Sequence, residues 1–245
     1  MKTIPVALQL WSIREEISRD FAAAASAISR MGYAGVELAG YGNLDSRGVN
    51  LALRDLGLKV AGMHASAQTL LSGLNAVVDD ALLLGASDVV CAWWPPTQLV
   101  SAAACQKIGE QLNEIGSVLR AWGLQFSYHN HAAEMKLFDG RTALDWILSA
   151  AEPRNLGAEL DVYWAQVGGQ SPTDCLNRYG DRVRLLHLKD QQEIGTGPVD
   201  FPAVFSAADR IGALKWYIVE QDEYSTTPLE GVRASLDQIR RFGRA

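Results

Sequence analysis

Short apolar runs alternate with amphipathic stretches along the whole chain, and a glycine usually separates the two. Gly32 precedes the run Val36–Leu38, and Gly85 precedes the run Asp88–Cys91. Glycine ends a helix easily because it adopts a positive φ without a Cβ clash. Short, nearly continuous apolar runs are typical of strands that are buried on both faces of a parallel sheet.

This pattern predicts eight strands with helices between them. The predicted strands cover residues 4–10, 34–39, 58–64, 87–93, 124–131, 157–163, 183–189 and 215–221. The predicted helices cover residues 21–31, 69–84, 105–122, 142–151, 172–179, 203–211 and 229–242. Alternating strands and helices form parallel crossovers, so the pattern predicts an α/β protein, a (β/α)₈ TIM barrel with one domain over residues 1–245. An open doubly wound sheet is disfavoured, because the first strand is not followed by a Gly-x-Gly-x-x-Gly motif.

The composition argues against several classes of function. The chain has 245 residues and a net charge of −6, so it lacks the basic character that nucleic-acid binding needs. No apolar stretch approaches the ~20 residues of a membrane span, and the charges at 14–16 argue against a signal peptide. The chain has three cysteines, Cys91, Cys105 and Cys175. Their odd number and wide spacing fit neither a disulfide framework nor a zinc knuckle, and this predicts a cytoplasmic location.

Rare polar residues are concentrated where the predicted strands end. The chain has four histidines, and each lies at the C-terminal end of a strand: His64, His129, His131 and His187. Five other polar residues lie at equivalent positions: Gln9, Glu37, Asp161, Lys189 and Glu220. The C-terminal ends of barrel strands form the catalytic face, and buried ionisable groups are costly unless they are paired or ligated. The pattern therefore predicts an active site at this end of the barrel.

Four of these residues come from consecutive strands, the fifth to the eighth, and can converge on one half of the barrel rim. They are His129, Asp161, His187 and Glu220. Two imidazoles and two carboxylates suit a divalent metal ion such as Mn²⁺, Zn²⁺, Co²⁺ or Mg²⁺. A hydrogen-bonded network without metal is the alternative, but four such residues on successive strand ends favour the metal site.

Four longer segments carry a family resemblance. They are Phe-Ser-Tyr-His-Asn-His at 126–131, Glu-Leu-Asp-Val-Tyr-Trp at 159–164, Leu-His-Leu-Lys-Asp at 186–190 and Ile-Val-Glu-Gln-Asp at 218–222. Together they resemble the sugar phosphate isomerase/epimerase family of xylose-isomerase-like barrels, which includes inosose dehydratases and ketose 3-epimerases. The resemblance implies metal roles for Asp161, His187 and Glu220. The epimerases have a glutamate as ligand on the fifth strand, where this chain has His129, and Glu134 is the other candidate for that position.

The resemblance implies a metal-dependent isomerase or epimerase that acts on a small carbohydrate. A proton α to the carbonyl of a non-phosphorylated keto-sugar or polyol is removed, and an enediolate forms. Glu220 or Glu134 is the candidate base, and His131 is a candidate proton shuttle. Lys189 either holds a substrate oxygen or pairs with Glu159 or Asp161. The candidate substrate-binding residues are Glu37, His64, Trp164 and Gln9, of which Glu37 and His64 are equally suited to support the metal ligands.

Other functions remain open at this point. A lyase that dehydrates an inosose, or eliminates a group β to a carbonyl, starts from the same proton abstraction, and the histidine on the fifth strand favours it. An endonuclease-IV-like enzyme needs a basic surface and more histidines than this chain has. A sugar-binding barrel without catalysis is disfavoured by the intact set of metal-ligand candidates. Homo-oligomer formation is left open.

Overall fold

Eight parallel strands close into a barrel in the computed structural model, which describes residues 4–244. Each strand pairs with its neighbours in sequence, and β1 pairs with β8 to close the barrel. The strands are β1 (Val6–Gln9), β2 (Gly35–Leu38), β3 (Lys59–Ala65), β4 (Asp88–Cys91), β5 (Gln125–His129), β6 (Gly157–Asp161), β7 (Val183–Leu188) and β8 (Trp216–Val219). The predicted TIM barrel is confirmed, although residues 1–3 and 245 of the predicted domain lie outside the described residues.

Helices surround the barrel. They are α1 (Arg14–Arg19), α2 (Phe21–Met31), α3 (Ser46–Asp55), α4 (Ala67–Ser72), α5 (Leu74–Leu84), α6 (Ala102–Ala121), α7 (Ala143–Ser149), α8 (Val162–Val167), α9 (Pro172–Tyr179), α10 (Phe201–Ala208) and α11 (Pro228–Arg241). A hairpin of Leu137–Phe138 and Arg141–Thr142 is separate from the barrel sheet. Within residues 4–244, no helix has the length and apolar composition that crossing a membrane requires.

The helices follow the prediction with local differences. The predicted helix 69–84 divides at Gly73 into α4 and α5. The start of α4 is set by Ser66, whose side chain accepts a hydrogen bond from the backbone N–H of Thr69. The short helices α1, α3 and α8 were not predicted. Gly32 and Gly85 end α2 and α5 with φ values of 95° and 67°, as the glycine pattern predicts.

A small apolar layer inside the barrel supports the polar residues above it. It consists of Ala7, Ala61, Val90, Leu185, Trp216 and Ile218. Side chains alternate along a strand, so the next inward position after Leu185 is His187, and the next after Ile218 is Glu220. The strands therefore carry apolar residues in the middle of the barrel and ionisable residues towards its C-terminal end.

Candidate active site

Four side chains from β5 to β8 meet at the C-terminal end of the barrel. They form the rim cluster: His129, Asp161, His187 and Glu220. All four are buried, and each can place one ligand atom within 4.8 Å of those of the other three. Nδ1 of His187 lies 2.7 Å from Oε2 of Glu220 and 3.9 Å from Oδ2 of Asp161. The structure thus brings together the four residues that the sequence analysis proposes as metal ligands.

Asp161 is fixed by the backbone around it. It ends β6 and caps α8, so that its Oδ1 accepts a 2.8 Å hydrogen bond from the backbone N–H of Trp164. Asn130, which directly follows β5, accepts from the backbone N–H of Asp161 at 3.0 Å and donates to its carbonyl at 3.3 Å. These bonds hold the ends of β5 and β6 together, and they fix the position of the Asp161 carboxylate in the cluster.

The second oxygen of this carboxylate provides a test of whether a cation fits here. Oδ2 of Asp161 is buried and has no hydrogen-bond partner among residues 4–244. Burial raises the pKa of Asp161 to about 7. A buried carboxylate oxygen without a donor is costly, and a cation shared with the other three side chains would satisfy it. The donor set therefore fits a divalent metal ion.

The protonation of His129 also fits a metal ligand. Burial lowers the pKa of His129 to about 4, so the ring is neutral near pH 7 and carries a free lone pair. Two imidazole nitrogens and two carboxylates are a mixed donor set. Such a set suits Mn²⁺, Zn²⁺ or Co²⁺ better than Mg²⁺, because Mg²⁺ prefers oxygen ligands.

Below the rim cluster lies a second group of polar side chains, here named the interior network: Gln9, Glu37, His64 and Glu159. Oε1 of Glu159 lies 2.8 Å from Nε2 of His64, 3.1 Å from Nδ1 of His129 and 3.0 Å from Nε2 of His187. Oε2 of Glu37 lies 2.7 Å from Nε2 of His187 and 3.1 Å from Nε2 of His64. The same oxygen accepts a 2.7 Å hydrogen bond from Nε2 of Gln9.

The interior network fixes which nitrogen of His187 faces the rim cluster. Glu37 and Glu159 both lie within hydrogen-bond distance of Nε2, so Nδ1 is left facing Glu220 and Asp161. A carboxylate behind a histidine ligand is a common way to fix its tautomer and orientation. Although burial opposes it, the carboxylates of Glu37 and Glu159 raise the pKa of His64 to about 10.

Local irregularities of the strands make room for the two glutamates. The pairing register shifts at Glu37 in β2 and at Glu159 in β6. Such bulges redirect side chains and are frequent next to active sites. A Cβ atom on Gly62 of β3 would lie 2.3 Å from Oε1 of Glu37, so only glycine leaves space for this carboxylate. The sequence analysis includes Glu37 among its candidates, but does not single out Gly62.

Lys189 pairs with residues other than those that the sequence analysis names. Its Nζ lies 3.3 Å from Oε1 of Glu220 and also contacts the carboxylate of Asp222, rather than Glu159 or Asp161. The same ammonium group lies 4.9 Å from the centre of the Trp164 ring. Although burial opposes both shifts, this ion pair raises the pKa of Lys189 and holds the pKa of Glu220 well below its usual range.

Glu134 lies apart from the rim cluster. Its two oxygens accept hydrogen bonds from Tyr128 Oη at 2.8 Å and from the backbone N–H of His131 at 2.9 Å. Within the described part of the chain, two groups of side chains could hold a metal ion, and neither includes Glu134. They are the rim cluster and the group His64, His129, Glu159 and His187. Tyr128 and His129 point to opposite faces of β5, which explains why Glu134 is directed away from the barrel interior. Of the two proposed ligands near β5, the structure brings only His129 into the cluster.

His131 lies at the edge of the site. Its ring centre is 4.8 Å from that of His129 and 5.8 Å from that of Trp164. Burial lowers the pKa of His131 to about 3, so its ring is neutral near pH 7. His131 is thus positioned between the rim cluster and the solvent.

A cavity of about 390 Å³ opens beside the rim cluster, and we name it the mouth cavity. His129, His131 and Glu220 line one side of it. The opposite side lies over β1 to β4, and is lined by Gln9, Trp11, Ala39, His64, Ala65, Ser66, Ala92 and Trp93. A cavity of this size is within the range of small-molecule sites, about 300–1,000 Å³. Substrate can therefore approach the rim cluster from this side.

Two residues of the site were not predicted as functional. Glu159 precedes Asp161 by two residues on β6, so the two share one face of the strand, and this alternation is the signal that identifies it. Asp222 lies outside the barrel strands, and its contact with Lys189 depends on the path of the loop after β8. Asp222 belongs to the segment 218–222 that carries the family resemblance, but strand alternation gives no signal for its contact with Lys189.

Comparison with known proteins identifies the family of the chain. Residues 23–242 match the xylose isomerase-like TIM barrel family. The chain belongs to this family. Among curated members, it is similar to inosose dehydratase from Lacticaseibacillus casei, with 24% identity over 151 residues, 51% of this chain and 50% of the relative. The chain therefore matches this relative over about half the length of each protein.

Two solved structures share the fold along nearly the whole chain. A sugar phosphate isomerase/epimerase from Parabacteroides distasonis superposes with a TM-score of 0.86 and 24% identity, covering 98% of this chain and 94% of that one. D-allulose 3-epimerase from Methylomonas sp. superposes with a TM-score of 0.74 and 16% identity, covering 100% and 98%. At these identities the likeness establishes the fold alone.

Proposed function

We propose that this xylose isomerase-like barrel is a metal-dependent isomerase or epimerase that acts on a non-phosphorylated keto-sugar or polyol. The observation that carries the proposal is the rim cluster, in which the buried Oδ2 of Asp161 lacks a partner among the described residues, beside a cavity of substrate size. Among the described lining residues of that cavity there is no Arg or Lys, which supports an uncharged substrate.

His129, Asp161, His187 and Glu220 are the proposed metal ligands. A divalent cation, when bound, supplies a Lewis acid that polarises a carbonyl and stabilises the negative charge of an enediolate. The proposed ligand set carries two negative charges instead of the three of the epimerase pattern, since His129 stands in place of a glutamate. The interior network keeps His129 and His187 in position from below.

Glu220 is the proposed base. It is the only carboxylate among the described residues that line the mouth cavity, and it is 8% exposed. Its carboxylate contacts Nδ1 of His187 and also Lys189, which can hold a substrate oxygen or stabilise negative charge near the cluster. His131, neutral and at the cavity edge, is the proposed proton shuttle. These groups allow one proton to be removed beside a carbonyl and returned to a different position.

Of the proposed substrate-binding residues, Gln9 and His64 line the cavity. Trp164 contacts His131 and Lys189 and remains a candidate at the cavity edge. Glu37 is 0% exposed, and its carboxylate contacts Gln9, His64 and His187. This burial supports a positioning role for Glu37 rather than direct contact with substrate.

A lyase is the second candidate function. Two observations favour it: the named dehydratase among the relatives, and the histidine at the end of β5. A symmetric epimerase mechanism uses one carboxylate on each face of the reacting carbon, and β5 here supplies an imidazole instead. The same proton abstraction leads to a lyase when a group leaves from the β-carbon.

The test is proton exchange in D₂O with purified protein loaded with Mn²⁺, Zn²⁺ or Co²⁺, followed by NMR and mass spectrometry on a panel of keto-sugars and inososes. An isomerase or epimerase incorporates deuterium and leaves the product otherwise equal in mass to the substrate. A lyase releases water or another leaving group. Failure of every metal-loaded sample to react faster than His187→Ala would contradict both functions.

A further inference from the structure

The side of the mouth cavity over β1 to β4 differs from the side that contains the rim cluster. Three alanines line it at or directly after the ends of β2, β3 and β4: Ala39, Ala65 and Ala92. Their small side chains leave the cavity open at three successive strand ends. The polar side chains on this side are those of Gln9, His64 and Ser66. Because the imidazole of His64 is paired with the carboxylates of Glu37 and Glu159, this side offers no unpaired charge and favours an uncharged group.

Two tryptophans stand at the border of the same space. Trp11 and Trp93 line the cavity, and each is 48% exposed. Exposed aromatic side chains that are scattered singly over a surface are common and need no explanation. Two that border one cavity are more typical of a binding surface. Two indoles at the edge of a substrate cavity offer an apolar surface on which part of a substrate can stack.

Contacts of neighbouring residues fix the two segments that carry these tryptophans. The backbone N–H of Trp11 donates to Oε1 of Gln9 at 3.1 Å, and the guanidinium of Arg14 lies 4.9 Å from the centre of the Trp11 ring. Next to Trp93, Trp94 is 3% exposed and donates to Oε1 of Gln98 at 2.9 Å. One tryptophan of this pair therefore anchors the loop while the other is presented to the cavity.

The occupant must be part of the substrate, since His129, His131 and Glu220 line the same cavity. A second sugar ring over the three alanines would lose hydrogen bonds to water that methyl groups cannot replace. An aromatic ring loses none, and it stacks favourably on indole. The apolar lining therefore selects an aromatic ring over a second sugar.

We propose that the β1–β4 side of the mouth cavity is an aglycone subsite, in which Trp11 and Trp93 bind an uncharged aromatic ring joined by a glycosidic bond to the reacting sugar. The substrate class is then an aryl glycoside whose sugar ring keeps a carbonyl at a carbon other than the anomeric one, because the acetal carbon of a glycoside cannot acidify a neighbouring C–H bond. This inference rests on the proposed function, because the sugar is taken to react at the rim cluster.

Calorimetric titration of the Mn²⁺-loaded full-length protein tests the subsite without turnover. The probes are the two anomers of phenyl D-glucopyranoside, the matching methyl D-glucopyranosides and cellobiose. One phenyl anomer is expected to bind about tenfold more tightly than its methyl counterpart, since aromatic pairs stabilise association beyond the area they bury. Trp11→Ala and Trp93→Ala should each remove several-fold of this preference and leave methyl glucoside binding unchanged.

Trp122→Ala is the matched control. Trp122 is 58% exposed and follows the end of α6, at the opposite end of the barrel, so its loss should leave all affinities unchanged. Trp11→Phe and Trp93→Phe should keep most of the preference, because an aromatic ring remains. Equal affinities for phenyl and methyl glucosides, or no binding of either, would overturn the subsite. Tighter binding of cellobiose than of phenyl glucoside would overturn the aromatic assignment.

This result can be separated from failure of the proposed function. Deuterium exchange into keto-sugars is measured on the same metal-loaded preparation. Exchange without any preference for phenyl glucosides overturns the subsite alone, whereas loss of metal-dependent exchange overturns the proposed reaction.

Discussion

The two halves of the barrel mouth carry opposite chemistry on the same repeated backbone. β5 to β8 end in imidazoles and carboxylates, which meet in the rim cluster. At the ends of β2 to β4, the cavity is lined by Ala39, Ala65 and Ala92. Equivalent barrel units therefore carry ionisable side chains on one half of the mouth, the proposed reactive half, and small apolar side chains on the other half. The residues at the strand ends alone make this difference.

Inside the barrel, below the rim, the two halves no longer differ in this way. There, β2 and β3 supply Glu37 and His64, and both reach the centre of the barrel. Oε2 of Glu37 lies 2.7 Å from Nε2 of His187, although the two residues are 150 positions apart. The half that is apolar at the surface thus supports the reactive half from inside. The role of a residue therefore depends both on the strand that carries it and on its position along the barrel axis.

The largest expected effect comes from His187→Ala, which removes a proposed ligand from the reactive half. Metal content measured by elemental analysis should fall from about one ion per chain to nearly none. Exchange activity should fall by about a thousandfold, equivalent to several kcal/mol of lost electrostatic stabilisation. The control is Asp88→Asn, in which a buried carboxylate that pairs with Arg184 at 2.9 Å is changed instead. Unchanged metal content in His187→Ala would refute the proposed site.

Glu159→Gln tests whether the interior network positions the ligands. The substitution keeps the size of the side chain but removes the charge that faces His64, His129 and His187. Metal affinity, measured by competition with a chelator, should fall by about 10- to 100-fold. Glu134→Gln is the matched control, since Glu134 is an equally buried glutamate apart from the rim cluster, and its metal affinity should stay near that of the wild type. An equal loss in both variants would contradict the positioning role.

Ala92→Leu tests the apolar half. The larger side chain should fill part of the mouth cavity and reduce turnover of a reactive substrate by about tenfold through a rise in KM, while the metal content stays unchanged. Overpacking of this kind costs about 1–3 kcal/mol of stability at most core positions, and Ala92 is only half-buried. Steady-state kinetics and elemental analysis on one preparation separate the two effects. Loss of metal from this variant would argue that the halves are not independent.

The smallest expected effect is that of Gly62→Ala. Gly62 lies on β3 and leaves space for Glu37, whose carboxylate contacts His187 in the other half of the barrel. The added Cβ would lie 2.3 Å from Oε1 of Glu37 and should push this carboxylate away from His64 and His187. Metal affinity should fall a few-fold, and the free energy of unfolding should fall by about 1–3 kcal/mol. Denaturant unfolding with and without Mn²⁺ measures both quantities. A variant as stable as the wild type, with equal affinity, would show that Glu37 is not held as tightly as its contacts indicate.

Much of the reactive half could be predicted from local sequence because each of its residues ends a recognisable strand. His129, Asp161 and His187 are all found where the apolar runs stop. Glu159 was not identified as functional, because alternation places it only on the same strand face as Asp161, and its role depends on the three histidines that it contacts. Glu134 illustrates the opposite case, since a carboxylate five residues after His129 is close in sequence but faces Tyr128.

The sequence by itself determined the repeated strands and helices and the side chains at the strand ends, because both depend on local periodicity and on glycine positions. The tertiary structure decided which ring nitrogen faces which carboxylate, which carboxylate lies beneath the cluster, and where the cavity opens. These properties depend on strand register, on bulges at Glu37 and Glu159, and on contacts between distant segments. Hydrogen-bond geometry over such separations is set only when the barrel closes, so no local pattern can encode it.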